Sequence, residues 1–298
     1  MKKRHHTVPR CYLQNFTDGE GFVWVLDVNN KIFKIKPENI LVENHFYTIT
    51  LKNGERSLVV EDTLADLEGK YALIYEEKIS KNLPLSLEDK AVVSVFISAM
   101  MHRTRPNREG MRKMFEKMRD TLQEWREEYK SNPKARDNAS AMPSSGRSIS
   151  LEEIEKGLED FDEHHSAGLP DWMVSTAQPL FNMKWTIIRS EDPNQRFVTS
   201  DDPVSMRRPQ SEMKYGRNAV GAVAGLVYRD VEVTIPLSKD QILLAGWILN
   251  DDTYSYMPAN MMEGLNQRTI LSSGEKVLSS SESELLDIKT KYLSKSQR

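Results

Sequence analysis

The sequence predicts an α+β fold, a helical middle flanked by N- and C-terminal strands that share a mixed or antiparallel sheet. Three observations predict it. Residues 21–50 carry β-branched and aromatic runs between turn signals, residues 60–130 switch to helical spacing, and residues 184–247 return to strand-like runs. The 298 residues, 39% hydrophobic and 29% charged with 14 Gly and 13 Pro, suffice for one substantial core and read as a single integrated domain over 1–298. That inventory excludes a collagen, a coiled-coil rod, a disulfide scaffold and a wholly disordered chain. With 41 Lys and Arg against 44 Asp and Glu, the formal net charge is −3, so contact with nucleic acid or anionic lipid requires a local patch. Cys11, the one cysteine, has no intramolecular disulfide partner, and no run of 18 apolar residues occurs. The reading is an intracellular, cytoplasmic protein with no membrane span.

Gly21-Phe-Val-Trp-Val-Leu-Asp27 and Lys31-Ile-Phe-Lys-Ile-Lys36 read as strands joined by a tight hairpin at Val28-Asn29-Asn30, and His45–Thr50 as a third strand before the Asn53-Gly54 turn. Val60, Leu64, Leu67, Tyr71 and Ile74 recur at helical spacing to about residue 80. Ser86-Leu-Glu-Asp89 has the spacing of a capping box and opens a second apolar helix that stops before Pro106; a third follows over about 108–130. Residues 131–150 hold six serines, two prolines and no aromatic residue, and read as a flexible surface loop or linker. Ser150-Leu-Glu-Glu153 opens an acidic helix to about His165. Strands follow at 184–189, 196–199, 231–235 and 241–247, then a helix over 258–268 and a polar tail at 286–298.

The densest polar constellation is His5-His6-Thr-Val-Pro-Arg10-Cys-Tyr12, two imidazoles titrating near neutrality beside an anion donor and a phenol; its bland counterpart is a solvated tail. Glu61 and Glu68 are seven residues apart and share one face of the first helix. A carboxylate on a largely apolar face must be paired, metal-bound or shifted in pKa, and a structural ion pair with nearby arginines is the alternative to a site. His102 and Arg103 fall at the margin of the second helix's buried stripe, with Arg105 just beyond. Residues 102–119 carry seven Lys/Arg against two Glu, a local +5 and the best candidate nucleic-acid surface, while the acidic stretch 151–163 offers a plain intramolecular counterpart. Thr199-Ser200-Asp201-Asp202-Pro203 ends a strand in a sharp turn whose carboxylates suit a divalent cation or a base. Cys11 reads as a packed small residue rather than a nucleophile, His164-His165 as a complement to a helix C-terminal dipole, and Gly221 and Gly225 as a loop rather than a phosphate cradle.

His-His-x-Val-Pro-x-x-Tyr-Leu-x-x-Phe at the N-terminus resembles the opening of a mainly bacterial family, domain of unknown function number 4238. The resemblance continues through Phe46-Tyr47, Glu61, Glu68, His102-Arg103-Thr104-Arg105, Phe197-Val-Thr-Ser-Asp201-Asp202-Pro203-Val204, Ile235-Pro-Leu-Ser238 and Leu265-Asn266, departing from a more amide-like pattern at His102 and Asp202. It implies one integrated domain with these positions as site candidates, and its bacterial distribution points to a defence or toxin role; it carries no activity.

The convergence of acid, imidazole and guanidinium groups predicts an intracellular phosphodiester hydrolase, a metal-dependent nuclease of antiviral defence or toxin type. Glu61, Glu68 and Asp201 are the expected ligands of Mg²⁺ or Mn²⁺. His5 or His6 is the expected base or extra ligand, Arg10, Arg103 and Arg105 with His102 stabilise charge, and Tyr12, Ser200 and Asp202 contact substrate. The rival class is a non-enzymatic module in which the arginine and histidine cluster holds an anion or partner peptide and the glutamates fix the arginines. A metal-free ribonuclease, or an enzyme on a small phosphorylated metabolite, is the third reading.

Overall fold

The computed structural model describes residues 4–50, 55–131, 150–192, 194–215, 225–250 and 253–293. The expected linker at 131–150 therefore lies outside the described residues except for its two ends, as does Gly221.

The N-terminal hairpin forms as read. β2 (Val23–Asp27) and β3 (Ile32–Ile35) pair antiparallel, and the Asp27 carboxylate closes the turn by accepting from the Asn29 and Lys31 N–H groups, both at 2.9 Å. β13 (Lys276–Ser279) joins the other edge of β2 antiparallel, and β8 (Thr199–Ser200) lies beyond it. N- and C-terminal strands thus share an antiparallel sheet. In the second, five-stranded sheet, β7 (Lys184–Ser190), β11 (Gln241–Gly246), β10 (Glu232–Ser238) and β9 (Ser205–Arg207) alternate in direction while β12 (Thr253–Met257) runs parallel to β7, so this sheet is mixed.

The helical middle packs against it. After the short α1 (Arg10–Leu13), α2 (Val59–Glu77) buries Val60, Leu64, Leu67 and Tyr71, the stripe its spacing predicts. α3 (Leu87–His102) begins at the expected capping box, with Ser86 Oγ accepting from Asp89 N at 3.1 Å and the Asp89 carboxylate from Ser86 N at 2.8 Å. Its Phe96 ring stacks on Tyr71 of α2 at 3.6 Å, and Val93, Ile97 and Met100 are wholly buried. α4 (Arg105–Ser131) starts a turn before residue 108, because Pro106 fits a first helical turn, where the missing N–H costs nothing, and Thr104 Oγ1 caps it by accepting from Asn107 N at 3.3 Å. α7 (Pro209–Tyr215), α8 (Ala259–Ser272) and α9 (Glu282–Ile288) complete the described helices.

Five expectations need correction. The strand expected at 196–199 reduces to β8, because the Arg196 and Val198 N–H groups donate to the Glu284 and Asn266 side chains instead of to a neighbouring strand. The acidic helix splits at Asp160 into α5 (Leu151–Glu159) and α6 (Phe161–Asn182), and α6 continues past His165 with Pro170 and Pro179 inside it. Leu169, Met173, Ala177 and Leu180 form its buried stripe, and that burial outweighs the proline penalty of about 3 kcal/mol each. The third N-terminal strand shrinks to β5 (Ile49–Thr50), paired with β6 (Arg56–Ser57), because His45 turns the chain through the left-handed region at φ 57°. The histidine run is no solvated tail: β1 (Arg4–His6) pairs antiparallel with β4 (Val42–Asn44), setting His5 opposite Glu43. Of the expected polar tail at 286–298, residues 286–293 are helical, with Ile288 buried beside Leu285 under the β3-β2-β13-β8 sheet, and 294–298 lie outside the described residues.

Candidate functional site

The β1–β4 ribbon turns alternate side chains to opposite faces, and His5 goes inward. Its ring stacks parallel on Tyr47 at 5.6 Å, and its Nδ1 accepts from the Tyr47 backbone N–H at 3.0 Å, so the neutral ring carries its proton on Nε2. The Glu61 carboxylate lies 4.0 Å from the same Nδ1. The N-terminal histidines therefore do fold back onto the helical pair. His6 offers its carbonyl rather than its ring, which sits by Pro37 O and is held below the ordinary histidine pKa by burial.

Arg103, 2% exposed, is the hub beneath them. Nη1 donates to Glu68 Oε1 at 2.7 Å, Nη2 to His6 O at 2.7 Å and Nε to Tyr47 Oη at 3.2 Å, while that hydroxyl donates to Arg103 O at 2.9 Å. Burial opposes the charge, but Tyr47 and Glu68 outweigh it and hold the guanidinium protonated. Every arm of Arg103 is thus spent on the protein itself, tying α3 to α2 and to the N-terminal ribbon.

Phe46, on the other side of Tyr47, positions a second arginine. Arg108 on α4 stacks 3.5 Å from the Phe46 ring centroid and donates to Phe46 O at 2.7 Å, Ser166 Oγ at 3.1 Å and His165 Nδ1 at 3.3 Å. All three are neutral acceptors, and among the described residues no carboxylate lies within ion-pair distance of Arg108. Burial pulls its pKa below the ordinary arginine value. His165 is held neutral, its pKa lowered to about 3 by burial, Arg108 and His102. It sits in the second turn of α6, so its expected role at a helix C-terminus is corrected.

Arg108 lines an open polar cleft of about 520 Å³ between α4, α6 and the 43–48 segment. Arg105 and Arg112 border it, each in an exposed pair, Arg105 with Glu109 at 2.7 Å and Arg112 with Asp162 at 2.8 Å. His45, Thr48 and Ser166 add polar groups and Glu43 and Glu163 two further carboxylates, and His45 Nδ1 is buried with no hydrogen-bond partner among the described residues.

The expected metal site is not assembled. Among the described residues no group of three or more His, Cys, Asp or Glu is placed to hold a metal ion. Glu68 is taken by Arg103, Glu61 lies against His5, and the Asp201 carboxylate accepts from Gly274 N at 2.9 Å and Glu275 N at 2.7 Å. Asp202 accepts from Thr104 Oγ1 at 3.1 Å and is raised to about 7 by burial, with Asp201 adding to the rise. The expected substrate contacts Tyr12 and Ser200 are wholly buried: Tyr12 Oη donates to Pro236 O at 2.6 Å, and Ser200 Oγ accepts from Asp202 N at 3.1 Å. His102 turns away from the network to Thr176 Oγ1 at 2.8 Å, and Arg10 is exposed at the start of α1. Burial pushes the Cys11 thiol up to about 12, consistent with a packed residue. The basic stretch divides: Arg103 and Arg108 face inward, Arg105, Arg112 and Arg119 pair with acids, and Lys113 and Lys117 are exposed.

The sequence reading missed Tyr47 as a connector, and Arg108, His165 and Ser166 as cleft chemistry. Arg108 was countable only as one of seven basic residues; the usable signal is its spacing from Arg105 and Arg112, which puts the three on one helix face. Among the described residues no helix is long and apolar enough to cross a membrane. No curated protein and no solved structure matches the chain significantly. A family model described as Protein of unknown function (DUF4238) matches residues 4–283, nearly the whole chain, and the chain belongs to that family.

Proposed function

We propose that this protein binds a small phosphate-bearing anion in the cleft bordered by Arg105, Arg108 and Arg112. The observation that carries the reading is Arg108, a buried cation that hydrogen-bonds only neutral acceptors and lines the cleft. A buried charge without a counter-charge is costly, so burial this complete is repaid when an anion supplies the missing charge. The 520 Å³ cleft is in the size range of pockets for metabolites and mononucleotides. Four carboxylates also line the cleft, and each has a partner of its own. Glu109 and Asp162 are held by Arg105 and Arg112 in exposed pairs worth about 0–1 kcal/mol each, Glu43 lies 3.9 Å from Arg105, and Glu163 accepts from Thr50 N. Asp162 and Glu43 favour the charged form of Arg108 from beyond contact distance. Exchanging Glu109 and Asp162 for a phosphate gives Arg105 and Arg112 a bidentate partner at little cost.

A second reading, hydrolysis of the bound phosphoester, is favoured by His45, whose imidazole borders the cleft on a left-handed backbone. It would act as general base with the arginines stabilising developing charge, without need of the unassembled carboxylate triad. The test is thermal stabilisation by inorganic phosphate, pyrophosphate and ribonucleoside 5′-monophosphates. Stabilisation by one of these that is lost in Arg112→Ala supports binding; turnover of a phosphoester lost in His45→Ala supports hydrolysis; no stabilisation by any of them overturns both.

A further inference from the structure

Beyond Arg112, α4 carries a feature unconnected with the cleft. Met114, Met118, Trp125 and Tyr129 are exposed by 53, 38, 63 and 47%. At 100° per residue they and Thr121 fall within about 80° of one another, one narrow apolar stripe along the helix. The flank on one side is occupied: Phe115 packs on Phe161 at 6.1 Å, Gln123 donates to Glu155, and Arg126 pairs with Glu152 of α5. The other flank is exposed and charged, with Lys113 and Lys117 in its first half and Glu124 and Glu128 in its second.

Within one molecule that flank is poorly arranged. Lys113 and Lys117 are four apart, as are Glu124 and Glu128, so each pair repels its own neighbour along the helix. None of the four has an ion-pair partner within 4.0 Å among the described residues. The arrangement is self-complementary when reversed. A two-fold axis crossing α4 near residues 120–122 sets Lys113 opposite Glu128 and Lys117 opposite Glu124 of a second copy, twice over by symmetry. The same axis lays Met118 against Trp125 and Met114 against Tyr129. In antiparallel helix pairs the same flank of each helix meets, so apolar stripe and charges come into register together.

We infer that α4 is a homodimerisation helix, pairing antiparallel with α4 of a second copy through the Met114–Tyr129 stripe. The dimer covers four exposed large side chains and turns four repulsive neighbour pairs, two in each copy, into four attractive contacts. A single seam of about four helical turns is a small interface, so the dimer is reversible, with a dissociation constant on the order of micromolar.

Sedimentation velocity of the full chain between about 5 and 200 μM tests this. The expected result is a concentration-dependent shift from 34.3 kDa to twice that mass. Lys117→Glu and Glu124→Lys each place like charges across the axis twice and should weaken the dimer at least about tenfold. The double exchange Lys117→Glu/Glu124→Lys restores the pairs with reversed sign and should restore the dimer. All three variants change exposed side chains, so folding is not at issue, and circular dichroism confirms it. A wild type that stays at 34.3 kDa throughout overturns the inference, as does a dimer indifferent to the single exchanges or a double exchange that fails to rescue.

Discussion

Replacing Glu68 by Gln removes one charge and keeps the side-chain shape, which isolates the role of the Arg103–Glu68 pair. Arg103 is 2% exposed and would retain its bonds to His6 O and Tyr47 Oη, but its charge would lose the only carboxylate within 4.0 Å among the described residues. Breaking a buried ion pair from one side costs about 3–5 kcal/mol. The lower end applies, because the Glu68 side chain keeps 23% of its exposure and the amide oxygen of Gln still accepts from Nη1. A chain of 298 residues unfolds with an entropy of about 0.6 kcal/mol/K, so about 3 kcal/mol lowers Tm by about 5 °C. Urea denaturation gives the free energy and calorimetry the midpoint. Arg103→Met in the Glu68→Gln background should recover part of the loss, since the pair then leaves no buried charge behind. A loss below about 0.5 kcal/mol for Glu68→Gln alone would show that the pair is not what holds Arg103, and would return Glu68 to the list of candidate ligands.

Three further perturbations probe the surroundings. The His165 pKa is about 3 when folded against 6.5 unfolded, so the unfolded state takes up the proton first and stability present above pH 6.5 is lost as pH falls toward 3. His165→Asn keeps an acceptor for Arg108 and should flatten that acid limb, worth on the order of 4 kcal/mol, in denaturant titrations at pH 4 and 7; an unchanged limb would refute the assignment. Asp202 has the opposite sign: its carboxyl titrates near 7 when folded against 3.8 unfolded, so stability falls as pH rises between those values. Asp202→Asn should therefore stabilise at pH 8 by on the order of 2–4 kcal/mol and be neutral at pH 4, and a variant equally affected at both would contradict the burial argument. Gly274→Ala places a Cβ 2.9 Å from Pro106 Cβ and still nearer Cγ, forcing β13 away from the start of α4. The expected loss is about 1–3 kcal/mol, read by urea denaturation, and tolerance within 0.5 kcal/mol would mean that the contact yields freely.

Much of this architecture is written locally. Ser86 and Ser150 announce their helices because a capping box is a four-residue device, and Val60, Leu64, Leu67 and Tyr71 announce a buried face because one side of a helix repeats every three to four residues. What escaped depends on distant partners. α6 runs through Pro170 and Pro179 because its stripe is buried against α3, a contact spanning most of the chain's middle. His5 is a core residue only because Val42–Asn44 supplies a strand for β1, a three-residue segment too short to show a period. The candidate site was legible as residue types and not as roles. Glu61, Glu68 and Arg103 were marked for the right physical reason, carboxylates at the edge of an apolar face beside an arginine, and the pair formed is the structural alternative. Arg108 was hidden because charge counting treats all seven cations of the 102–119 stretch alike, while burial and stacking on Phe46 distinguish it.

The proposed function requires that the charge of Arg108 serve a ligand rather than the fold. Arg108→Met tests it most directly, because methionine fills the space over Phe46 without the charge. Removing a buried cation that lacks a counter-charge offsets the lost hydrogen bonds, and Ser166 Oγ, 3.1 Å from Phe46 O, can satisfy that carbonyl in its place. Calorimetric titration of wild type and variant with pyrophosphate, alongside urea denaturation of each, gives both quantities. The expected variant lies within about 1 kcal/mol of wild-type stability and has lost pyrophosphate binding. A variant destabilised by several kcal/mol that still binds pyrophosphate as wild type does would make Arg108 a structural residue and contradict the proposed function.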